Sequence, residues 1–185
     1  MLSQALSLLV PLALFGTANT APTSLSVAPR APEICYDNEN ASLLCYNPPD
    51  NDPQDVNVTD VAYIAAYLRA YGAQVRTGRL FSMAAGDAPD CGEWSLYSYG
   101  SALALAKHIN SSLDTSVLYA DIATTIDGGP NATPEQQANS LLGCSTSGGS
   151  FGVQVNTSNP TYTGPTYPAG YSTDGMIIKI VSSGV

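Results

Sequence analysis

The residues of this sequence that could carry out general acid–base chemistry are one glutamate, the single histidine and two arginines. Glu93 and His108 lie in one stretch of the chain, and Arg76 and Arg79 precede it. A carboxylate and an imidazole can exchange a proton with a substrate, and a guanidinium can stabilise developing negative charge. If these side chains shared one cleft they would support hydrolysis, so a small secreted hydrolase is the alternative function that the sequence leaves open.

The other catalytic patterns in the sequence are weaker. The chain contains no H-E-x-x-H zinc motif, no Gly-rich phosphate loop and no dinucleotide fingerprint. A serine or cysteine nucleophile would depend on His108, the only imidazole, as its base. Glu93 and Asp121 could form the carboxylate pair of a carbohydrate-active hydrolase, but with 15 acidic residues some such pair is always available. We therefore expect a protein without catalytic activity and without a cofactor.

Four cysteines, an even number, indicate two disulfide bonds in an exported chain. They are Cys35, Cys45, Cys91 and Cys144. We favour pairing Cys35 with Cys45 and Cys91 with Cys144, because the second bond would join the strand around Trp94 to the end of a well-capped helix. A metal site is the rival interpretation. Since there is no C-x-x-C spacing and only one histidine, we expect no metal.

The N-terminal part of the chain has the features of a targeting segment. Residues 1–18 form the predicted signal peptide, with an apolar run too short to span a bilayer and small residues at the cleavage site. Residues 19–32 are rich in Ala, Pro, Ser and Thr, and are predicted to form a flexible leader or a pro-segment trimmed after Arg30. Residues 33–185 are long enough for a single domain with a modest core.

Charge and glycosylation motifs also indicate an extracellular protein. The formal net charge of −9 and six scattered basic residues leave no cationic surface for nucleic acid or an anionic membrane. We expect neither as a partner, and we expect a monomer. N-x-[ST] motifs predict a secreted glycoprotein modified at Asn40, Asn57, Asn110, Asn131 and Asn156.

Hydrophobic periodicity predicts three or four helices and three or four strands. The clearest helix covers residues 59–71, and three of its tyrosines form an i, i+4 row that is more typical of core or rim packing than of a binding surface. The sharpest helix start is at Thr133, where an N-cap, a first-turn proline and a capping box coincide. Further helices are predicted over residues 101–109 and 114–127, and strands around Trp94 and over residues 76–83, 148–156 and 176–181. The predicted fold class is α+β: an antiparallel sheet with three to four helices packed on one face, stabilised by disulfide bonds.

Ordinary structural roles are predicted for the residues of the central stretch. Trp94 is expected to anchor the core, because a large aromatic at the start of an alternating run is a natural nucleus. His108 is expected in the last turn of a helix, where it would interact with the final carbonyls. Glu93 is expected to face solvent or to pair with an arginine.

The long loop over residues 157–174 calls for a functional explanation. It contains Tyr162, Tyr167 and Tyr171 among three prolines, which restrict the chain and lower the entropy cost of ordering it. Tyrosine combines a broad contact area with a hydroxyl group, so these residues form the predicted binding site. The alternative is that they fold back and cover the edge of the strand over residues 176–181.

The signal peptide, the leader, the four cysteines and the Tyr-, Gly-, Asn- and Thr-rich body together resemble small secreted proteins of filamentous fungi. The resemblance implies an effector- or elicitor-like protein with a role in virulence, acting outside the cell through surface recognition of an extracellular protein or glycan. The acidic, Tyr-rich chain is also similar to fungal guanyl-specific ribonucleases. That resemblance implies a ribonuclease-like centre of Glu93, His108 and Arg76 or Arg79, although those enzymes use a second histidine that this chain lacks.

Overall fold

The structure, a computed structural model, describes residues 39–88 and 92–184. These residues fold as an α+β domain with a five-stranded antiparallel sheet, a two-stranded sheet, three α-helices and two short 3-10 helices. The predicted signal peptide and leader, together with Cys35 and Cys91, lie outside the described residues. In chain order the elements are β1 (Leu44–Cys45), α1 (Val58–Ala73), β2 (Leu80–Met83), β3 (Glu93–Tyr99), β4 (Ala102–His108), β5 (Thr115–Leu118), α2 (Tyr119–Asp127), α3 (Pro134–Ala138), a 3-10 helix (Leu141–Ser147), β6 (Gly149–Gly152), a second 3-10 helix (Pro160–Thr163) and β7 (Met176–Ser182).

The large sheet has the strand order β1-β6-β7-β4-β3, and each neighbouring pair is antiparallel. β4 and β7 pair along their whole length near its centre, with Ala104 opposite Ile180. β3 is an edge strand, and a register shift between Ser95 and Tyr97 places a bulge in it. Bulges of this kind twist an edge strand and hinder its pairing with other chains.

The main core lies between one face of the large sheet and the helices α1 and α2. Alternate residues of β4 and β7 point to this face, and these residues are buried. β4 contributes only alanines to the hydrophobic cluster of this core, and their small side chains allow the helices to approach the sheet closely. The cluster includes Ala102, Ala104, Ala106, Ile178 and Ile180 from the sheet and Ile64, Leu68, Ile122 and Ile126 from the helices.

The prediction of a helix over residues 101–109 is wrong, because this segment is the central strand β4. Alanine and leucine favour helices, and that preference motivated the prediction. The same residues alternate in size, and both edges of the segment pair with neighbouring strands, β3 and β7. The long-range hydrogen bonds and the burial of the strand therefore override its local propensity.

Several other predicted elements are confirmed, some with different boundaries. The helix over residues 59–71 is α1, capped by the side chain of Asn57. Thr133 starts α3 with the predicted capping box, but α3 ends at Ala138. The predicted strand over residues 176–181 is β7. The segment over residues 114–127 is not one helix but the strand β5 followed directly by α2, whereas the strands predicted over residues 76–83 and 148–156 are the shorter β2 and β6.

One disulfide bond joins Cys45 to Cys144, so the predicted pairing is wrong. The two cysteines are 99 residues apart in sequence, but β1 pairs with β6, and Cys144 precedes β6 in the 3-10 helix. Disulfide formation depends on distance in space, and the antiparallel pairing of two distant segments is invisible in the cysteine spacing.

Candidate functional site

The predicted acid–base residues are not brought together. Glu93 lies opposite Lys107 on the face of the sheet that points away from the core helices. His108 follows Lys107 in β4 and therefore faces the other way, into the core. Arg76 and Arg79 lie after the C-terminal end of α1. Since Glu93 and His108 are on opposite faces of one sheet, they have no common cleft in which to act on one substrate.

Two lysines and two glutamates instead form a charge cluster on the outer face of the sheet. The Nζ of buried Lys107 contacts the Glu39 carboxylate and lies 3.6 Å from Glu93. The Nζ of Lys179 lies 2.7 Å from Glu39 and 2.6 Å from Glu93. Glu93 thus pairs with lysines rather than with an arginine.

These ion pairs hold the cluster in its charged form. Burial alone would raise the pKa of Glu39, but the two lysines lower it below the usual range. Burial would lower the pKa of Lys179, but the two glutamates raise it overall. A lysine held as an ammonium ion cannot act as a general base, so the arrangement supports a structural role.

His108 is buried in β4 and not at the end of a helix. Within the described residues neither ring nitrogen has a hydrogen bond of good geometry, although the backbone of Met83 and Ala88 lies nearby. Burial lowers the pKa of His108, and these backbone groups and Asp114 oppose that shift only in part. His108 is a neutral core residue with no access to a substrate.

Residues 148–152 read Gly-Gly-Ser-Phe-Gly, which matches the G-x-S-x-G pattern of hydrolases. In those enzymes the serine lies exposed on a sharp turn between a strand and a helix. Ser150 instead lies inside the strand β6, opposite Lys179, and is completely buried. The match therefore carries no catalytic meaning.

Two of the three loop tyrosines use their hydroxyl groups inside the protein. The Tyr162 hydroxyl donates to the Asp121 carboxylate at 2.5 Å and accepts from the N–H of Leu118 at 2.9 Å. The Tyr167 hydroxyl donates to the carbonyl of Ser116 at 2.9 Å. These bonds attach the loop to β5 and α2, not to the edge of β7. Tyr171 has no such bond within the described residues.

Five tyrosines form a row between α1 and the edge strand β3, which we name the tyrosine strip. The rings of Tyr63 and Tyr99 stack with centroids 3.9 Å apart, and those of Tyr67 and Tyr97 stack at 3.7 Å. Tyr71 continues the row, with its ring 6.3 Å from that of Tyr67 and within 8° of parallel. Burial, together with the neighbouring hydroxyl groups, raises the pKa of Tyr97.

The tyrosine strip is exposed to solvent. Tyr63, Tyr67 and Tyr99 are 45%, 38% and 42% exposed, and Val75 is the only comparably exposed large apolar residue in the part of the chain that the structure describes. The sequence shows the i, i+4 spacing of the tyrosines on α1, but this spacing predicts core or rim packing and not a binding surface. Its pairing with tyrosines of β3 depends on the tertiary contact between α1 and that strand.

The five predicted glycosylation sites are exposed asparagines: Asn40, Asn57, Asn110, Asn131 and Asn156. In four of them the side-chain oxygen accepts a hydrogen bond from the backbone N–H two residues later, which leaves the amide nitrogen unused by that bond. The geometry is compatible with modification, which stays a prediction.

The described residues contain no group of three or more His, Cys, Asp or Glu side chains arranged to hold a metal ion. Nor does any helix in residues 39–88 and 92–184 have the length and hydrophobicity needed to cross a membrane. Comparisons of the chain with models of protein families, with curated proteins and with solved structures found no match.

Proposed function

We propose that this is an extracellular recognition protein without catalytic activity, effector- or elicitor-like, which binds a partner through the tyrosine strip. The observation that carries the proposal is the exposure of Tyr63, Tyr67 and Tyr99 in one stacked row. Exposed aromatic side chains that lie next to one another are uncommon on a monomer surface without a binding role. Tyrosine is also enriched in protein interfaces, because it buries a large area at a small cost in conformational entropy.

The stacking favours a protein partner over a glycan. One face of each ring in the pairs Tyr63–Tyr99 and Tyr67–Tyr97 is covered by its neighbour. A sugar would need open ring faces lying in one plane, whereas ring edges and hydroxyl groups suit the mixed apolar and hydrogen-bonding surface of a protein. Because the rings support one another, little side-chain freedom remains to be lost on binding.

The proposal is tested with a double variant, Tyr63→Ser with Tyr99→Ser, in a binding assay on extracellular protein extracts. Removing two exposed aromatic contacts is expected to weaken binding at least tenfold, since such anchors contribute about 2 kcal/mol or more each. The matched control is Tyr171→Ser, which removes a loop tyrosine that the sequence alone assigned to binding. That variant is expected to bind normally.

The fold of each variant is checked by its melting temperature before binding is compared. Binding that is unchanged in the double variant would contradict the proposal. Binding lost only in Tyr171→Ser would restore the loop as the recognition site. Binding that survives protease treatment of the extract but not glycosidase treatment would assign the strip to a glycan.

A further inference from the structure

A cavity lies between the end of α1 and the loop over residues 157–174. Its volume is about 800 Å³, within the range of small-molecule sites. Arg76 and Arg79 line one side, and Pro160, Thr161 and Pro165 line the other. We name it the arginine cleft. It is distinct from the tyrosine strip, although Arg79 lies over the ring of Tyr71 at the end of that strip.

The charge of the arginine cleft is opposite to that of the whole protein. The chain has 15 acidic and six basic residues, yet three arginines and no aspartate or glutamate line the cleft. One of the three, Arg69, is neutralised by two hydrogen bonds to Asp127, at 2.9 and 2.6 Å. Arg76 and Arg79 have no carboxylate partner within the described residues, so the cleft carries uncompensated positive charge.

Arg79 is also held in position. Its guanidinium carbon lies 4.1 Å from the centroid of the Tyr71 ring, and one terminal nitrogen donates to the Tyr71 hydroxyl at 3.1 Å. Its Nε is buried and has no acceptor among the described residues. An arginine whose guanidinium is oriented by a tyrosine and has no carboxylate partner is preorganised for an anionic ligand.

The loop wall of the cleft is fixed rather than free to move away. The Thr161 hydroxyl donates to the carbonyl of Thr77, in the turn between the two arginines. The next residue, Tyr162, is bonded to Asp121 and Leu118. Proline residues on either side further restrict the loop. The hydrogen bonds of Tyr162 to α2 and β5 thus hold the loop wall of the cleft in place.

The dipoles of the neighbouring helices do not change the sign of the charge in the arginine cleft. The C-terminal end of α1, at Ala73, carries partial negative charge, and the N-terminal end of α2, near Ala120, carries partial positive charge. Both residues line the cleft, so the two effects oppose each other. The positive charge is therefore that of Arg76 and Arg79.

We propose that the arginine cleft binds a small organic acid. Its carboxylate would pair with Arg76 and Arg79, because the planar guanidinium matches a carboxylate with two parallel hydrogen bonds. Its apolar or ring-shaped body would lie against Val75, Pro160 and Pro165, which give the cleft its mainly apolar lining. Inorganic phosphate fits less well, since it cannot use these apolar walls and would be desolvated against them.

The test is a titration of the secreted protein with four probes. Binding of each probe is monitored through the Nε–H signals of the arginines in NMR spectra. Benzoate has a carboxylate and a ring, benzamide has the ring alone, acetate has the carboxylate alone, and inorganic phosphate is a plain oxyanion. Benzoate is expected to shift the Arg76 and Arg79 signals saturably, with a dissociation constant on the order of millimolar for a ligand of this size. The other three probes are expected to bind at least tenfold more weakly.

Variants then assign the site. Arg76→Gln removes one positive charge from an exposed position and is expected to weaken benzoate binding at least fivefold. Gln137→Glu, on the exposed surface of α3, changes the net charge by the same amount away from the cleft and is the matched control. Other variants of Arg79 could destabilise the protein, because the packing of the arginine is lost. In that case Arg79→Lys is used, since it keeps the positive charge at this position. The proposal would be overturned if benzamide or phosphate bound as tightly as benzoate, or if no probe shifted the arginine signals. It would also be overturned if Arg76→Gln and Gln137→Glu had equal effects on benzoate binding. None of these outcomes bears on the tyrosine strip.

Discussion

His108 is the one side chain of this protein whose ordinary pKa lies near neutral pH, and burial lowers that pKa. In the folded state its pKa is below 6.5, whereas in the unfolded chain it is close to that value. At higher pH both states are neutral and the histidine has no effect on stability. As the pH falls below 6.5, the unfolded state takes up the proton first, so the free energy of unfolding decreases.

We predict that His108→Leu reduces this acid sensitivity. The wild-type protein is expected to lose stability between pH 7 and pH 5 by up to about 1.4 kcal/mol per pH unit from this one group. The variant is expected to lose less over the same interval, and urea denaturation at each pH measures both. Glu39, with its lowered pKa, contributes only at lower pH, where its protonation would break the pairs with Lys107 and Lys179. Parallel pH profiles for the two proteins would contradict the assignment.

At the level of elements, the loop over residues 157–174 is attached to the domain by tyrosine hydroxyl groups and, at its end, by backbone hydrogen bonds of Ser172 with Asp114 and Ser116. Tyr162 bridges the start of α2 by contacting both Asp121 and Leu118. Burial raises the pKa of Asp121, although Tyr162 and the N–H of Asn156 partly stabilise its charged form. The loop is therefore coupled to the helix by a buried, charge-assisted hydrogen bond.

Tyr162→Phe is expected to lower the free energy of unfolding by about 2 kcal/mol, because it leaves the buried Asp121 carboxylate with fewer donors. The matched control is Tyr171→Phe, which removes a hydroxyl with no hydrogen bond in the described structure and is expected to change stability by less than about 0.5 kcal/mol. Chemical denaturation compares the two variants. A similar effect in both would mean that the hydroxyl of Tyr162 is not a structural contact.

For the whole molecule, the Cys45–Cys144 bond joins two segments 99 residues apart in sequence. A loop of that length loses much of its freedom in the unfolded chain when it is closed, which stabilises the folded state by about 4 kcal/mol. The double variant Cys45→Ala with Cys144→Ala is expected to lose that amount, as measured by its unfolding transition.

Peptide mapping of the non-reduced protein checks the pairing itself. It is expected to yield a linked peptide containing Cys45 and Cys144, and the sequence prediction of two disulfides then leaves Cys35 to pair with Cys91. Glu39 and Glu93, which come after these two cysteines in the sequence, share their lysine partners and therefore lie close to each other. A peptide linking Cys35 to Cys45, or free thiols at any of the four positions, would refute the scheme.

Local patterns in the sequence determined the elements that depend on short-range interactions. The capping box at Thr133 and the amphipathic pattern of α1 are confirmed, because a helix start and a helix face involve residues at most one or two turns apart. The irregular order of helical and strand patterns along the chain also predicts the α+β class and the antiparallel sheet, and both are present. The expectation that Trp94 packs against the core is also met.

Only the tertiary structure decided the features that depend on distant segments meeting. Residues 102–108 became a strand because β3 and β7 pair with both of their edges, and this pairing outweighs their helix propensity. Cys45 found Cys144, and Glu93 was separated from His108, through the same strand order. Both candidate binding surfaces also depend on contacts between distant segments. At the tyrosine strip α1 meets β3, and at the arginine cleft the loop over residues 157–174 meets the end of α1. Sequence spacing cannot reveal such contacts, because the free energy that selects them comes from burial and hydrogen bonding between segments far apart along the chain.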